Sequence, residues 1–165
     1  MIFVTVGTQL HFDRMAAAVD RWAGERGVTD VFAQLGPTEL APRHIEYRSF
    51  ISPAECRMRM RSARVIVAHA GMGTMLSALE LGKPLLVMPR SAAFGEHRND
   101  HQLATARRFA ELGRVAVAFD EHELPARLDE LDRLAAVEPI SPFAPDAFIS
   151  AVRAFIDDAP SSLAA

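Results

Sequence analysis

"ARVIVAHAGMGTMLSALELGKP", Ala63 to Pro84, carries the chain from an apolar run into two glycines, with His69 before them and Thr74 after, just as a helix begins. A strand that is apolar throughout suits a parallel sheet covered by helices on both faces. Gly71 and Gly73 remove side chains from the strand-to-helix turn and leave backbone amides free at the helix start. A helix N-terminus carries roughly half a unit of positive charge, and a charge-assisted hydrogen bond contributes about 1.5 to 3 kcal/mol, so a diphosphate suits this place without a metal. Two other phosphate motifs fit badly. Lys83 follows Gly82 but precedes Pro84 and a strand, so Gly82 reads as a helix cap and not as part of a G-x-x-x-x-G-K-[ST] loop. The dinucleotide fingerprint lacks its third glycine and an acidic residue about 20 positions further on. Taken alone, the Gly71-Met72-Gly73 triplet also fits a purely structural tight turn.

Outward from this stretch, apolar runs alternate with amphipathic ones. Residues 2–6, 30–35, 45–50, 64–69, 84–89 and 114–119 read as short strands. Phe12, Met15, Val19, Trp22 and Ala23 follow helical spacing up to Gly27, and Ser52-Pro53-Ala54-Glu55 reads as a capping box with proline at the first helical position. Asp120 to Glu123 resembles a second box. Leu103, Ala106 and Ala110 line a helix stopped by Gly113; Leu124, Leu128, Leu131 and Ala135 line the next. After "EPISPFAP", a last helix puts Phe148, Val152, Phe155 and Ile156 on one face, which reads as core or as a docking face. This alternation predicts an α/β fold: a single Rossmann-like, doubly wound parallel sheet over residues 1–158, with 159–165 as a disordered tail. In such sheets ligands bind beyond the carboxyl ends of the strands. The loops to examine are therefore "GTQLHFD" from Gly7, "HAGMGT" from His69 and "RSAAFGEHRNDHQ" from Arg90.

The 165 residues suffice for one domain that buries about 70% of its unfolded surface. With 50% hydrophobic residues, 24% charged residues and a net charge of -3, the composition is that of a soluble domain without general affinity for nucleic acid or anionic lipid. The N-terminus has no basic leader, and no apolar run approaches the roughly 18 residues of a membrane span. The single cysteine, Cys56, precludes an intrachain disulfide framework and agrees with a cytoplasmic location.

The combination of "HAGMGT", "LELGKPLLVMPR", "GEHRNDHQLATA" and the opening "MIFVTVGTQLHFDR" resembles the C-terminal, nucleotide-sugar-binding domain of glycosyltransferase family 28, which has the GT-B fold. It is most similar to the short donor-binding chains of split bacterial exopolysaccharide glycosyltransferases, which in turn are similar to the donor half of the two-subunit eukaryotic UDP-GlcNAc transferase. The resemblance covers about residues 1–120. It implies that Gly7 and Thr8 face the donor phosphates, that His69, Ala70, Gly71, Met72, Gly73 and Thr74 hold the diphosphate, and that Asn99, Asp100, His101 and Gln102 form the sugar-binding region, with Gln102 on the sugar hydroxyls. Many members hold the ribose with a glutamate three residues beyond the helix-start threonine. Ser77 stands there in this chain, and Glu80 follows almost one turn later. Phe50 to Ser52 are the uracil-side segment by analogy.

A GT-B transferase needs two such domains. The resemblance therefore implies a membrane-anchored acceptor-binding partner subunit, a UDP-sugar donor, a lipid-linked glycan acceptor and no cofactor, with this chain peripheral at the inner face of the membrane. The implied chemistry is inverting transfer, with a general base among His11, His97 and His101 or on the partner. A noncatalytic nucleotide-sugar-binding module and a sugar epimerase are the competing readings. His97 and His101 have no third partner for a metal. Cys56 reads as a packing residue, and Arg57, Arg61 and Arg64 form a basic stripe that suits either solvent or a partner.

Overall fold

The computed structural model describes residues 1–157; the expected disordered tail lies outside the described residues. Six parallel strands form one sheet in the order β3-β2-β1-β4-β5-β6: β1 (Ile2–Thr5), β2 (Val31–Gln34), β3 (Glu46–Arg48), β4 (Val65–His69), β5 (Leu85–Met88) and β6 (Ala116–Val117). The pairing β1 to β4 sets Ile2 beside Val65 and Thr5 beside Ala68, so both strands end at the same level. The four inner strands are buried almost throughout, as their continuous apolar runs require. Every strand is shorter than the stretch expected for it, most of all the edge strands β3, whose three residues are exposed, and β6.

Helices cover both faces. On one face α1 (Asp13–Arg26) and α5 (Leu124–Asp129) enclose Val4, Val67, Leu86 and Met88, with Met15, Val19, Leu124 and Leu128 facing inward. On the other, α2 (Pro53–Ser62), α3 (Met72–Glu80) and α4 (His101–Glu111) cover Phe3, Phe32, Ile66 and Val87 with Met60, Met75, Ala78 and Ala106. The two covering helices of the first face are tied by Asp129, which accepts from Trp22 Nε1 at 2.8 Å and from both sides of the Arg26 fork.

The helix ends follow their sequence signals with adjustments. Ser52 accepts from the Glu55 amide at 3.1 Å, but the Glu55 carboxylate turns to Arg59, so only half of the capping box forms. Asp120 caps the amides of His122 and Glu123, while the Glu123 carboxylate reaches back to the Phe119 amide. Gly82 and Lys83 donate their amides to Leu79 and Ala78, closing α3, and Lys83 Nζ donates to the Ala63 carbonyl. Lys83 thus serves helix ends at the amino edge of the sheet and does not line the pocket described below.

Two expectations are corrected. Ala135 does not extend α5: the helix ends at Asp129, a 3-10 turn follows at Leu131–Arg133, and Ala135 is exposed. With Asp129 held against α1, the chain leaves the helix to cross beneath α3, where the Ile140 amide donates to the Leu79 carbonyl. The last helix, α6 (Asp146–Asp157), has an apolar face as its spacing predicts, but that face is not core: no α6 residue is buried, and Phe155 is 78% exposed. Both sheet faces are already covered by the five preceding helices.

A contrast in stability follows. Met75→Ala, at a fully buried site, should lower unfolding free energy by about 2 to 5 kcal/mol. Phe155→Ser should stay within about 0.5 kcal/mol of the parent chain, as expected for an exposed position. Urea unfolding of both variants checks this; a large loss in Phe155→Ser would mean that α6 packs on the domain.

Candidate functional site

The direction in which the sheet is laid down reverses between β1 and β4. Helices that follow these two strands leave on opposite faces, which opens a crevice at their carboxyl ends. A pocket of about 410 Å³ lies there, lined by the loop from Val6 to Leu10, by His69 and Gly71 to Thr74, and by Arg90, His97 and Gln102. α3 begins at Met72, and its first backbone bond runs from the Met75 amide to the Gly71 carbonyl. The amides of Met72, Gly73 and Thr74 precede that bond, and among the described residues no side chain caps them.

His69 fills the space that two glycines leave. A Cβ at Gly7, whose φ is +81°, would lie 2.8 Å from His69 Cε1, and one at Gly71 would lie 2.1 Å from Nε2. The ring is thus held between the first and second glycine loops, which only hydrogen side chains permit. Its Nδ1 is buried and has no hydrogen-bond partner among the described residues. Burial, and then the positive charge of Arg90, push its pKa down to about 4, so it is neutral at pH 7. Gly73 differs: a Cβ there would meet only open space, so its bareness serves no packing need.

Two buried polar networks set the loops. Thr5 Oγ1 donates to Gln34 Oε1 at 2.7 Å, and Gln34 Nε2 donates to the carbonyls of Gly7 at 2.9 Å and Ser49 at 3.0 Å. Arg90, just beyond β5, reaches across the end of β4. Its Nη1 donates to the His11 and Glu96 carbonyls, and its Nη2 to those of Val6 and Leu10, all between 2.5 and 3.1 Å. Glu96 in turn receives the Arg14 fork at 2.9 and 3.0 Å and the Ser91 amide at 2.9 Å, with the Arg14 and Glu96 side chains 13% and 5% exposed. Arg14 also pairs with Glu121 and lies over the Phe94 ring.

Residues 1–139 match the profile of the glycosyltransferase family 28 C-terminal domain. The chain belongs to that family. The UDP-N-acetylglucosamine transferase subunit ALG13 of Eremothecium gossypii is 38% identical over 85 residues, which are 51% of this chain and 38% of that protein. This chain therefore aligns with well under half of that relative. The solution structure of ALG13 superposes with a TM-score of 0.58 at 19% identity, covering 92% of this chain and 93% of that one. A kitacinnamycin glycotransferase gives a TM-score of 0.58 at 22% identity over 80% of this chain and 34% of that one. At such identities these likenesses speak for the fold, which is that of the C-terminal half of GT-B glycosyltransferases.

Within this family 28 domain, the expected donor-site residues fall into groups. Gly7, Thr8, His69, Gly71, Met72, Gly73, Thr74 and Gln102 line the pocket together. Ala70 is buried beneath it, at 1% exposure. Ser77 and Glu80 line a neighbouring groove between α2 and α3, which shares Cys56 with the pocket; Ser77 Oγ donates to the Gly73 carbonyl at 2.9 Å. Asn99 caps the His101 amide and contacts its ring, and Asp100 accepts from the Ala92 amide at 2.8 Å, so both brace their own loop. Of the candidate bases, His97 lines the pocket with its ring edge-on to His101, 4.4 Å between centroids, whereas His11 opens into a separate hollow beside Asp13 and Thr38. Burial, then the charges of His101 and Arg90, hold His97 below the usual histidine pKa. Burial pushes the Cys56 thiol up, which suits packing and not nucleophilic attack. Among the described residues no group of three or more histidine, cysteine or acidic side chains is placed to hold a metal.

Gln34 and Arg90 are site residues that the sequence reading missed. The available signals were a glutamine inside an otherwise apolar strand and an arginine directly after "LLVMP".

Two outcomes test this geometry. Gly71→Ala should lose about 1 to 3 kcal/mol by overpacking against His69, whereas Gly73→Ala should unfold at the same temperature or slightly higher while binding anionic ligands less well. Thermal unfolding with and without UDP separates the two. His69 binds its proton more weakly in the folded state, so it contributes stability that is present above pH 6.5 and is lost as pH falls towards 4, about 3 kcal/mol in all. Urea midpoints between pH 4 and 7 should show that slope, and His69→Gln should flatten it.

Proposed function

We propose that this chain is the donor-binding half of an inverting glycosyltransferase that uses a UDP-sugar and completes its active site with a separate acceptor-binding subunit. The observation that carries this reading is the pocket at the switch point, where the uncapped amides of Met72 to Thr74 and a neutral His69 face the space beside Gly7. The names of the ALG13 relatives support UDP-N-acetylglucosamine as the donor and a transferase of more than one subunit.

In this reading the diphosphate lies against the α3 amides, with Gly73 leaving room for its approach. An acceptor hydroxyl attacks the anomeric carbon as the bond to the diphosphate oxygen breaks. UDP leaves with the bonding electrons, and a base takes the hydroxyl proton. The charge that develops on the leaving diphosphate is stabilised by the helix amides without reorganisation. In this reading the acceptor binds on the partner's side of the cleft, and the group that takes its proton lies there or is His97, the one of the three candidate histidines that lines the pocket from this side.

We assign the partner a membrane anchor and the acceptor a lipid-linked glycan of an exopolysaccharide or oligosaccharide precursor, with this chain on the cytoplasmic side. Among the described residues no helix is long and apolar enough to cross a membrane. The exposed apolar face of α6, with Phe148, Val152 and Phe155, supports association with a second protein.

Titrating the isotope-labelled chain with UDP should move the amide signals of Met72 to Thr74, and transfer from UDP-N-acetylglucosamine should appear only when the acceptor subunit is present. Unmoved amides would remove the donor site. Full transfer by the isolated chain would remove the division into subunits.

A further inference from the structure

We propose that Arg90 is a positioning residue that sets the phosphate-side loop after β1 in register with the start of α4, which carries Gln102, so that the pocket holds the sugar as well as the nucleotide of a nucleotide-sugar. The inference rests on the reading of the pocket as a UDP-sugar site and adds a residue to it.

Arg90 is 3% exposed, and its side chain and main chain act on different loops. The side chain gathers carbonyls from both sides of the crevice: Val6, Leu10 and His11 from the loop after β1, Glu96 from the loop after β5. Carbonyl dipoles that converge in this way repel one another unless a donor stands between them, so the loop after β1 keeps its shape only around the cation. The main-chain amide of Arg90 donates to Gln102 Oε1 at 3.2 Å. Because an amide N–H demands an acceptor, this bond fixes which way the Gln102 side-chain amide points. Its Nε2 has no hydrogen-bond partner among the described residues, and Gln102 lines the pocket. One residue therefore holds the backbone on the phosphate side and aims a free donor from the opposite side.

The fork matters as much as the charge. Four carbonyls are shared between two terminal nitrogens, a number that the paired N–H groups of a guanidinium can serve and the three N–H groups of a lysine ammonium cannot. The Glu96 carboxylate is engaged by Arg14 and the Ser91 amide, so Arg90 has carbonyls and not a carboxylate as its direct partners. Its positive charge is left to act on the pocket it lines.

The test is calorimetric titration of the full chain, of Arg90→Lys and of Gln102→Leu with UDP and with UDP-N-acetylglucosamine. Arg90→Lys keeps the charge and the main-chain bond to Gln102 but not the four-carbonyl network, so it should weaken UDP and UDP-N-acetylglucosamine alike by about tenfold, whereas Gln102→Leu, which removes the aimed donor, should weaken UDP-N-acetylglucosamine by about tenfold and UDP by less than about threefold. Unchanged affinity for both ligands in Arg90→Lys, or an equal effect of Gln102→Leu on both, would overturn the positioning role. Failure of the parent chain to bind either nucleotide would instead overturn the donor-site reading on which it rests. Should Arg90→Lys not fold, nitrogen-detected spectra of the parent chain decide: the terminal nitrogens of Arg90 should give separate, slowly exchanging signals that move with UDP-N-acetylglucosamine. One averaged guanidinium signal, with and without the nucleotide-sugar, would overturn the proposal.

Discussion

The buried guanidinium of Arg90 is the constraint on which the rest of the site depends. It sits where the loops after β1 and β5 meet over the end of β4, and it is the common donor to four main-chain carbonyls. Burial pulls its pKa downward, yet an arginine keeps its proton at any physiological pH, so the carbonyls are served by a permanent cation. Each carbonyl left without a donor in this dry place would cost about 1 to 3 kcal/mol. Around this cation Glu96 and Arg14 form a second, nearly buried pair that carries the restraint outward to Glu121 and the Phe94 ring.

His69 is the reciprocal of that arrangement. With Arg90 nearby and most of its ring buried, the imidazole is kept neutral, and it contributes a dipole and not a charge. The positive potential of the pocket therefore comes from two other sources: the uncapped amides at the start of α3 and the guanidinium itself. Together they suit a diphosphate, whose charge a neutral ring alone would not balance. Gly7 and Gly71 are bare because His69 occupies their side-chain space, whereas Gly73 is bare towards the open pocket. Two glycines that look alike in sequence thus differ: one is required by packing, and at the other a side chain would meet only open space.

The cover of the sheet explains why the chain presents so much apolar surface near its end. α1 and α5 close one face and α2, α3 and α4 the other before residue 146 is reached. The side chains of α6 then have no place in either core, so an amphipathic helix stands with Phe148, Phe155 and Ile156 at 60%, 78% and 62% exposure. A face of that composition is costly in water and suits burial against another protein.

Continuous apolar runs determined the parallel sheet by themselves, since a strand covered on both faces has no polar side to alternate. The helix starts and stops were also legible, from Ser52 and Gly82 to Asp120, because caps act within a few residues of the chain. So was the group Gly7, His69 and Gly71 to Thr74, at the ends of β1 and β4 that the sheet brings together, whereas Gln102, at the start of α4, was singled out by the family resemblance. What only the tertiary structure decided lies across long separations. Arg90 bonds Val6 some 84 positions away, Gln34 reaches Gly7 across 27, and Ser77 and Glu80 turn into the neighbouring groove. Local spacing can state that α6 has an apolar face, but burial depends on which elements have already covered the sheet, and that is a property of the assembled fold.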